Sequence, residues 1–202
     1  MGTDLSSDTP PGIGHNSQEP DPLRVIAWRR VMAQAPRVSP IVARMRADRA
    51  RQLGMSYADF SAVRAVAGRD PAALVFSPEA LSLGLGRRLS INPRTAAHLE
   101  RVRQCHLLCL SPSEEDPTAF AEELAEVARV PFSGAAPMPH QSDSWSRLRA
   151  IVRSLLDPLA LNGNAALMIG DTRLERALCA AGRMADCLSA TRYFPHRARV
   201  PI

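Results

Sequence analysis

The chain has 202 residues, of which 46% are hydrophobic and only 4% are aromatic. This length is enough for one full domain with a small appendage, and the apolar content excludes a wholly disordered chain. Because no apolar stretch reaches about 18 residues, we expect no membrane-spanning helix. The first residues, MGTDLSSDTP, lack a basic segment followed by an apolar one, so we expect no secretory signal and a cytoplasmic location.

Charge and cysteine content narrow the possible chemistry. The formal net charge is +5, the pI is about 9.7, and all 25 basic residues are arginine, so no step can use a lysine amine. A moderately basic protein can bind nucleic acid or an acidic partner. Four cysteines without C-x-x-C spacing predict small buried residues in a reducing compartment rather than a metal site. They are Cys105, Cys109, Cys179 and Cys187.

The first 21 residues are rich in Ser, Asp, Pro and Gly and have almost nothing to bury. This composition predicts a disordered tail. Within it, residues 12–17 (GIGHNS) resemble the GIGHN-type tag found near the N-terminus of many proteins from phages, plasmids and integrated elements. The resemblance implies a mobile-element origin and assigns no chemistry.

Residues 22–69 have the apolar spacing of a helical module. One helix is predicted to start at Pro40 and to end at Gly54, and Ser56 is placed to cap the next one. The apolar face of the first of these helices comprises Ile41, Val42, Met45 and Leu53. The apolar stripe of the second comprises Tyr57, Phe60, Val63 and Val66. Residues 68–71 (GRDP) interrupt the helical pattern and predict a domain boundary.

After this boundary, short apolar runs alternate with helical stretches. Strands are predicted over 72–76, 106–110, 130–132, 165–169 and 184–188, and helices over 93–104, 117–129, 144–156 and 172–182. Such alternation implies parallel pairing and a sheet covered on both faces. We therefore predict a three-layer, Rossmann-like α/β domain over residues 70–202, preceded by the tail (1–21) and the basic helical module (22–69).

The most informative segment follows the strand predicted over 165–169. Gly170 and Asp171 come directly after this strand, Glu175 follows four residues later, and an Ala-rich helix ends at Gly182. We expect Gly170 to let the backbone turn sharply at the carboxyl end of the strand, where open α/β sheets hold ligands. Asp171 and Glu175 can then present two carboxylates to Mg²⁺. In the simpler interpretation, Asp171 is only the N-cap of the helix.

Here the chain resembles the haloacid dehalogenase-like (HAD) superfamily. Its fourth motif is an apolar strand, Gly-Asp, an acid and a helix ending in Ala-Gly, as found around Asp171 and Glu175. Residues 106–111 (HLLCLS) fit its second motif, a strand ending in Ser111. Its first motif is a strand followed by Asp-x-Asp, and the counterpart is residues 74–79 (LVFSPE). The resemblance implies a HAD-like domain with Ser77 at the nucleophile position and Glu79 at the general acid/base position.

The departure at Ser77 bears on activity. The family forms an aspartyl phosphate on its first acid, whereas a serine hydroxyl needs an adjacent base, and losing a nucleophile costs roughly 10⁴–10⁶ in rate. The lysine or arginine of the third motif has only Arg147 or Arg149 as candidates. We therefore predict a non-catalytic regulatory or interaction protein of a phage- or plasmid-type element, with a protein partner and no cofactor. An Mg²⁺-dependent, phosphatase-like hydrolase is the alternative.

The helical module suggests another alternative, a DNA-binding regulator. Ala50, Gly54, Ser56, Phe60 and Val63 have the spacing of a helix-turn-helix at about 41–67, whose second helix would enter the major groove. Five arginines could contact phosphates or guanine edges. They are Arg44, Arg46, Arg49, Arg51 and Arg64. The module could equally be a helical cap on the α/β domain.

A further alternative is an inhibitor of replication that binds the sliding clamp. Clamp-binding peptides resemble Gln-Leu-x-Leu-x-Leu. Residues 80–85 (ALSLGL) lack the glutamine, and residues 52–57 (QLGMSY) retain it at the predicted end of a helix. Such hexamers arise easily by chance.

Overall fold

The computed structural model describes residues 38–85 and 89–197. The chain divides into two compact units, Met1–Pro40 and Ile41–Ile202. The predicted tail, its GIGHN-type tag and the first part of the helical module lie outside the described residues. The elements below belong to the second unit, except that its first helix begins one residue before the division, at Pro40.

The centre of this unit is a five-stranded parallel sheet. Its strands are β1 (Ala73–Phe76), β4 (His106–Ser111), β5 (Gly134–Pro137), β6 (Ala166–Ile169) and β7 (Asp186–Leu188), in the order β5-β4-β1-β6-β7. Phe76 at the end of β1 is in register with Cys109 of β4 and Ile169 of β6. A short antiparallel hairpin, β2 (Gly84–Leu85) and β3 (Leu89–Ser90), follows β1 in the chain.

Helices cover both faces of the sheet. They are α1 (Pro40–Gln52), α2 (Tyr57–Ala67), α3 (Pro93–Leu99), α4 (Pro117–Ala128), α5 (Trp145–Leu156), α6 (Arg173–Gly182) and α7 (Ala190–Tyr193). Alternate residues of β1 point to opposite faces. Leu74 and Phe76 pack in a core cluster with α1–α4 and α7, whereas Ala73 and Val75 pack with α5 and α6. The predicted three-layer, Rossmann-like α/β fold is thus confirmed.

Most predicted elements are found, with shifted ends. The strand predicted over 130–132 is wrong, because Val130 is buried in the turn after α4 and β5 is formed instead by the small residues Gly134, Ala135 and Ala136. Pro137 is tolerated there because β5 is an edge strand. The helix predicted over 93–104 ends at Leu99, and neither the hairpin nor α7 was predicted.

The turn between α1 and α2 is as predicted. Gly54 adopts φ +70°, and the Ser56 hydroxyl caps α2 by accepting a bond from the Asp59 N–H. The predicted apolar faces are partly wrong. Only the C-terminal end of α1 reaches the core, and Leu53, Phe60 and Val63 are buried there. The remaining members of the two faces are exposed or only half-buried: Ile41, Val42, Met45, Tyr57 and Val66.

Within the described part of the chain, no helix has both the length and the apolar content needed to span a membrane.

Candidate functional site

The parallel strands end together at one edge of the sheet. A cleft of about 610 Å³ lies at that edge, a volume typical of small-molecule sites. The turn after β1, the loop after β4 and the end of β5 form its walls. Two of the predicted site residues, Ser77 and Glu79, belong to it. Its lining comprises Ser77, Pro78, Glu79, Ser82, Leu83, Pro112, Ser113, Met138 and Arg197.

The structure joins Ser77 to Glu175, which lie 98 positions apart in the chain. Both side chains are fully buried. The Ser77 hydroxyl donates a short hydrogen bond to Glu175 Oε1 and accepts one from the Ala80 N–H at 3.0 Å. The serine at the predicted nucleophile position therefore borders the cleft without exposing any of its own surface, and its hydroxyl is bonded on both sides.

The other oxygen of the Glu175 carboxylate, Oε2, accepts hydrogen bonds from the residue that caps the start of α6. Thr172 is the N-cap of this helix, and its backbone N–H and hydroxyl donate to Glu175 Oε2 at 2.6 and 2.8 Å. Thr172 and Glu175 form a reciprocal capping box. The interpretation of Asp171 as the N-cap is therefore wrong by one residue. The spacing T-x-x-E was the sequence signal for this arrangement.

Gly170 has a different role from the sharp turn that was expected. A Cβ atom at this position would overlap the carboxyl group of Glu175. Glycine is needed because the buried carboxylate lies directly against the backbone as the chain leaves β6. Gly170 thus allows Glu175 to reach Ser77, directly after β1, and this hydrogen bond links the ends of β1 and β6.

The remaining predicted site residues are dispersed. Glu79 is exposed on the cleft wall, and Asp171 is exposed at the end of β6. Ser111 is fully buried, and its hydroxyl has no hydrogen-bond partner among the described residues. Sequence reasoning missed Arg197, which lines the cleft and donates to the Ala80 carbonyl oxygen. It lies 117 positions from Ala80, so no local pattern could indicate it.

The predicted Mg²⁺ ligands do not fit a divalent cation in this arrangement. Both oxygens of Glu175 already accept hydrogen bonds inside the fold, and Asp171 contributes only one exposed carboxylate. Mg²⁺ demands several oxygen ligands in near-octahedral geometry. Over residues 38–85 and 89–197, no three His, Cys, Asp or Glu side chains form a group that could hold a metal.

The arginines predicted to bind DNA are largely occupied by contacts within the fold. Arg49 donates to the carbonyl oxygens of Pro71, Arg103 and Gln104 at 3.0–3.2 Å. Arg64 is paired with Asp70, and Arg51 with Asp48. Arg44 is exposed, and Arg46 is half-buried on α1.

Both candidate clamp-binding hexamers contribute to the core. Ala80 and Leu81 are buried in the hexamer 80–85, and Leu53 and Met55 are buried in the hexamer 52–57. Either segment would have to leave the fold to bind as an extended peptide. The clamp hypothesis gains no support from this arrangement.

All four cysteines are free thiols. Burial raises the pKa of Cys105, Cys109 and Cys179 to about 12, and that of Cys187 to about 11. They are therefore protonated and unreactive near neutral pH.

No family model, no curated protein and no solved structure matches this chain. The fold and the site define its class: a three-layer, Rossmann-like α/β protein with a cleft at the carboxyl edge of its sheet.

Proposed function

We propose that this protein is a non-catalytic regulatory or interaction protein of a phage- or plasmid-type element, built on a HAD-like domain and acting in the cytoplasm through a protein partner. The observation that carries this proposal is the burial of Ser77. A nucleophile must reach its substrate, and a base must be free to take its proton. Here the hydroxyl is fully buried, and its acceptor Glu175 also caps α6.

Two features support the HAD-like domain. Counted along the chain, the five parallel strands have the spatial order 3-2-1-4-5, with the first strand at the centre. The segments that resemble the family's first, second and fourth motifs follow the central strand and its two neighbours. Ser77, Ser111 and Asp171 therefore come to the same edge of the sheet, as the resemblance requires.

A protein partner and a reducing compartment also have support. Ile41 and Met45 lie one turn apart on α1, and their side chains are 74% and 65% exposed. Large exposed apolar side chains that neighbour one another are typical of surfaces that bind other proteins. Four free thiols in a chain of this size are typical of a reducing cytoplasm.

A phosphatase assay tests the absence of catalysis. The full chain is incubated with Mg²⁺ and p-nitrophenyl phosphate beside a Ser77→Ala/Asp171→Asn variant and an Asp186→Asn control, which removes an exposed carboxylate at the other end of the sheet. We expect the three proteins to release product at the same background rate. Turnover by the wild type and the control that disappears in the double variant would establish the hydrolase alternative.

Ligand binding at the same cleft is measured separately. A thermal-shift scan with Mg²⁺ and a phosphate mimic should leave the unfolding midpoint unchanged. Among the residues that the structure describes, no three His, Cys, Asp or Glu side chains at this cleft are grouped to hold a metal. A higher midpoint that requires Asp171 would contradict the proposal.

A further inference from the structure

A second cleft, of about 340 Å³, lies at the opposite end of the sheet, between the C-terminal ends of α5 and α6 and the loop before β6. Two glycines bring its walls together. A Cβ atom on Gly182 would lie 2.6 Å from Cγ1 of Val152, and one on Gly163 would overlap the Gly182 carbonyl oxygen. The close approach of three segments therefore shapes this cleft.

The cleft is positively charged. Arg149, Arg153 and Arg183 line it, and Asp157 is the one acidic residue in its lining. The two helix ends together contribute about one negative charge. Three guanidinium groups therefore leave a net charge of roughly one positive unit. Arg149 is oriented by a bond from its Nε to the Ala181 carbonyl oxygen at 3.4 Å.

The exposed surface of α5 and α6 that carries these three arginines is the α5–α6 face. α5 contains no acidic residue, and the one acidic residue of α6, Glu175, is buried. None of the ion pairs found among the described residues involves an arginine of this face.

An aromatic side chain lies in line with the cleft. Trp145, Arg149 and Arg153 occupy positions i, i+4 and i+8 of α5, so they form one stripe along the helix. The Trp145 side chain is 51% exposed at the start of this stripe. An apolar ring presented to solvent next to free guanidinium groups is the combination that binds a nucleic-acid strand, through base stacking and phosphate contacts.

We propose that the α5–α6 face binds a single nucleic-acid strand, with phosphates at Arg149, Arg153 and Arg183 and a base stacked on Trp145. A single strand is favoured over a duplex because only unpaired bases offer their faces to an exposed indole. The site is separate from the carboxyl-edge cleft and does not rest on the function proposed for it.

Fluorescence anisotropy of a labelled oligothymidine of about 15 nucleotides, titrated with the full chain, tests this site. The test variant is Arg153→Gln/Arg183→Asn, and the matched control is Arg94→Gln/Arg129→Asn. Each pair removes two charges, one from the exposed surface of a helix and one from the residue that ends a helix. Both helix-ending residues have a left-handed backbone, with φ of 51° at Arg183 and 58° at Arg129. Asparagine is tolerated in that conformation.

We expect the test variant to bind at least about tenfold more weakly at low salt, and its plot of log affinity against log salt to be shallower by roughly 1.4, about 0.7 for each lost phosphate contact. The control should bind within about twofold of the wild type. Absence of wild-type binding at low salt, or an equal loss in the control, would overturn the proposal.

Trp145→Ala separates stacking from charge. It should weaken binding of the oligothymidine about tenfold without changing the salt slope, because no phosphate contact is removed. Tighter binding of a duplex than of the single strand would overturn the assignment, as would equally effective competition by polyglutamate, since an acidic polypeptide has charge but no bases.

Discussion

At the carboxyl edge of the sheet, Ser77, Thr172 and Glu175 bond to one another inside the fold, whereas at the opposite end Arg149, Arg153 and Arg183 surround an open cleft. The first group lies where a parallel sheet usually holds its reacting residues. Its polar atoms stabilise the protein instead. The second group has charges that the described fold leaves without acidic partners.

This difference shows that position in a fold does not by itself assign a role to a residue. Buried polar groups must find partners, so a carboxylate and a hydroxyl that meet inside the protein can serve stability alone. Exposed arginines need no such partner, and a cluster of them raises the local positive potential at some cost in mutual repulsion. Substitutions in the first group should therefore lower the stability strongly, and substitutions in the second should hardly change it.

The largest effect is expected for Glu175→Ala. It leaves the buried Ser77 hydroxyl and two half-buried groups of Thr172 without an acceptor, and should lower the free energy of unfolding by about 3 kcal/mol. Arg153→Ala at the other end should change it by less than about 0.5 kcal/mol. Urea denaturation of both variants measures the contrast. Equal losses would mean that the two ends do not differ in this way.

A smaller effect is expected for Gly170→Ala, whose new methyl group would displace the Glu175 carboxyl group. Overpacking of this kind should cost about 2 kcal/mol. Gly134→Ala is the matched control, because the added Cβ would meet only Cδ2 of Leu108 at 3.4 Å, an ordinary contact. The same denaturation experiment applies, and a neutral Gly170→Ala would show that Glu175 has room to move.

Acid should weaken the fold through His98 without affecting the basic cleft. Burial is the main cause that lowers the pKa of His98, and the charges of Arg101 and His196 add to it, with a backbone contact at Gly54 opposing them. Because the folded pKa lies below the unfolded value, this contribution to stability is complete above about pH 6.5 and is lost as the pH falls through the folded pKa.

Urea midpoints at about pH 7.5 and pH 5 measure this loss, and His98→Gln should reduce it. Guanidinium groups stay charged over this range, so oligothymidine binding by the folded protein should not change with pH. A His98→Gln variant with the same acid sensitivity as the wild type would assign the effect to other groups.

A small effect is also expected for Arg64→Ala, which removes the ion pair with Asp70. Since both side chains are about one-third exposed, the loss should be at most about 1 kcal/mol, and the affinity for nucleic acid should stay within about twofold. If Arg64→Ala weakened nucleic-acid binding more than Arg153→Ala does, the nucleic-acid site would be the helix-turn-helix and not the α5–α6 face.

Much of the fold was predictable because its signals are local. Apolar runs separated by helical stretches indicated the parallel sheet, and Ser56 and Gly68 marked the ends of α2. The strand β5 was misplaced because Gly134, Ala135 and Ala136 have neither the bulk nor the branching typical of strands. They form a strand only because β4 supplies hydrogen-bond partners beside them.

The sequence by itself determined most of the strands and helices, and it indicated through a resemblance that Ser77, Ser111, Asp171 and Glu175 belong to one edge of a sheet. Only the tertiary structure decided what they do there. Whether a carboxylate faces solvent, a metal or a hydroxyl depends on which segments approach it, and Glu175 is met by a residue 98 positions away. The basic cleft likewise exists only because Gly163 and Gly182 let three segments pack closely, which no local pattern encodes.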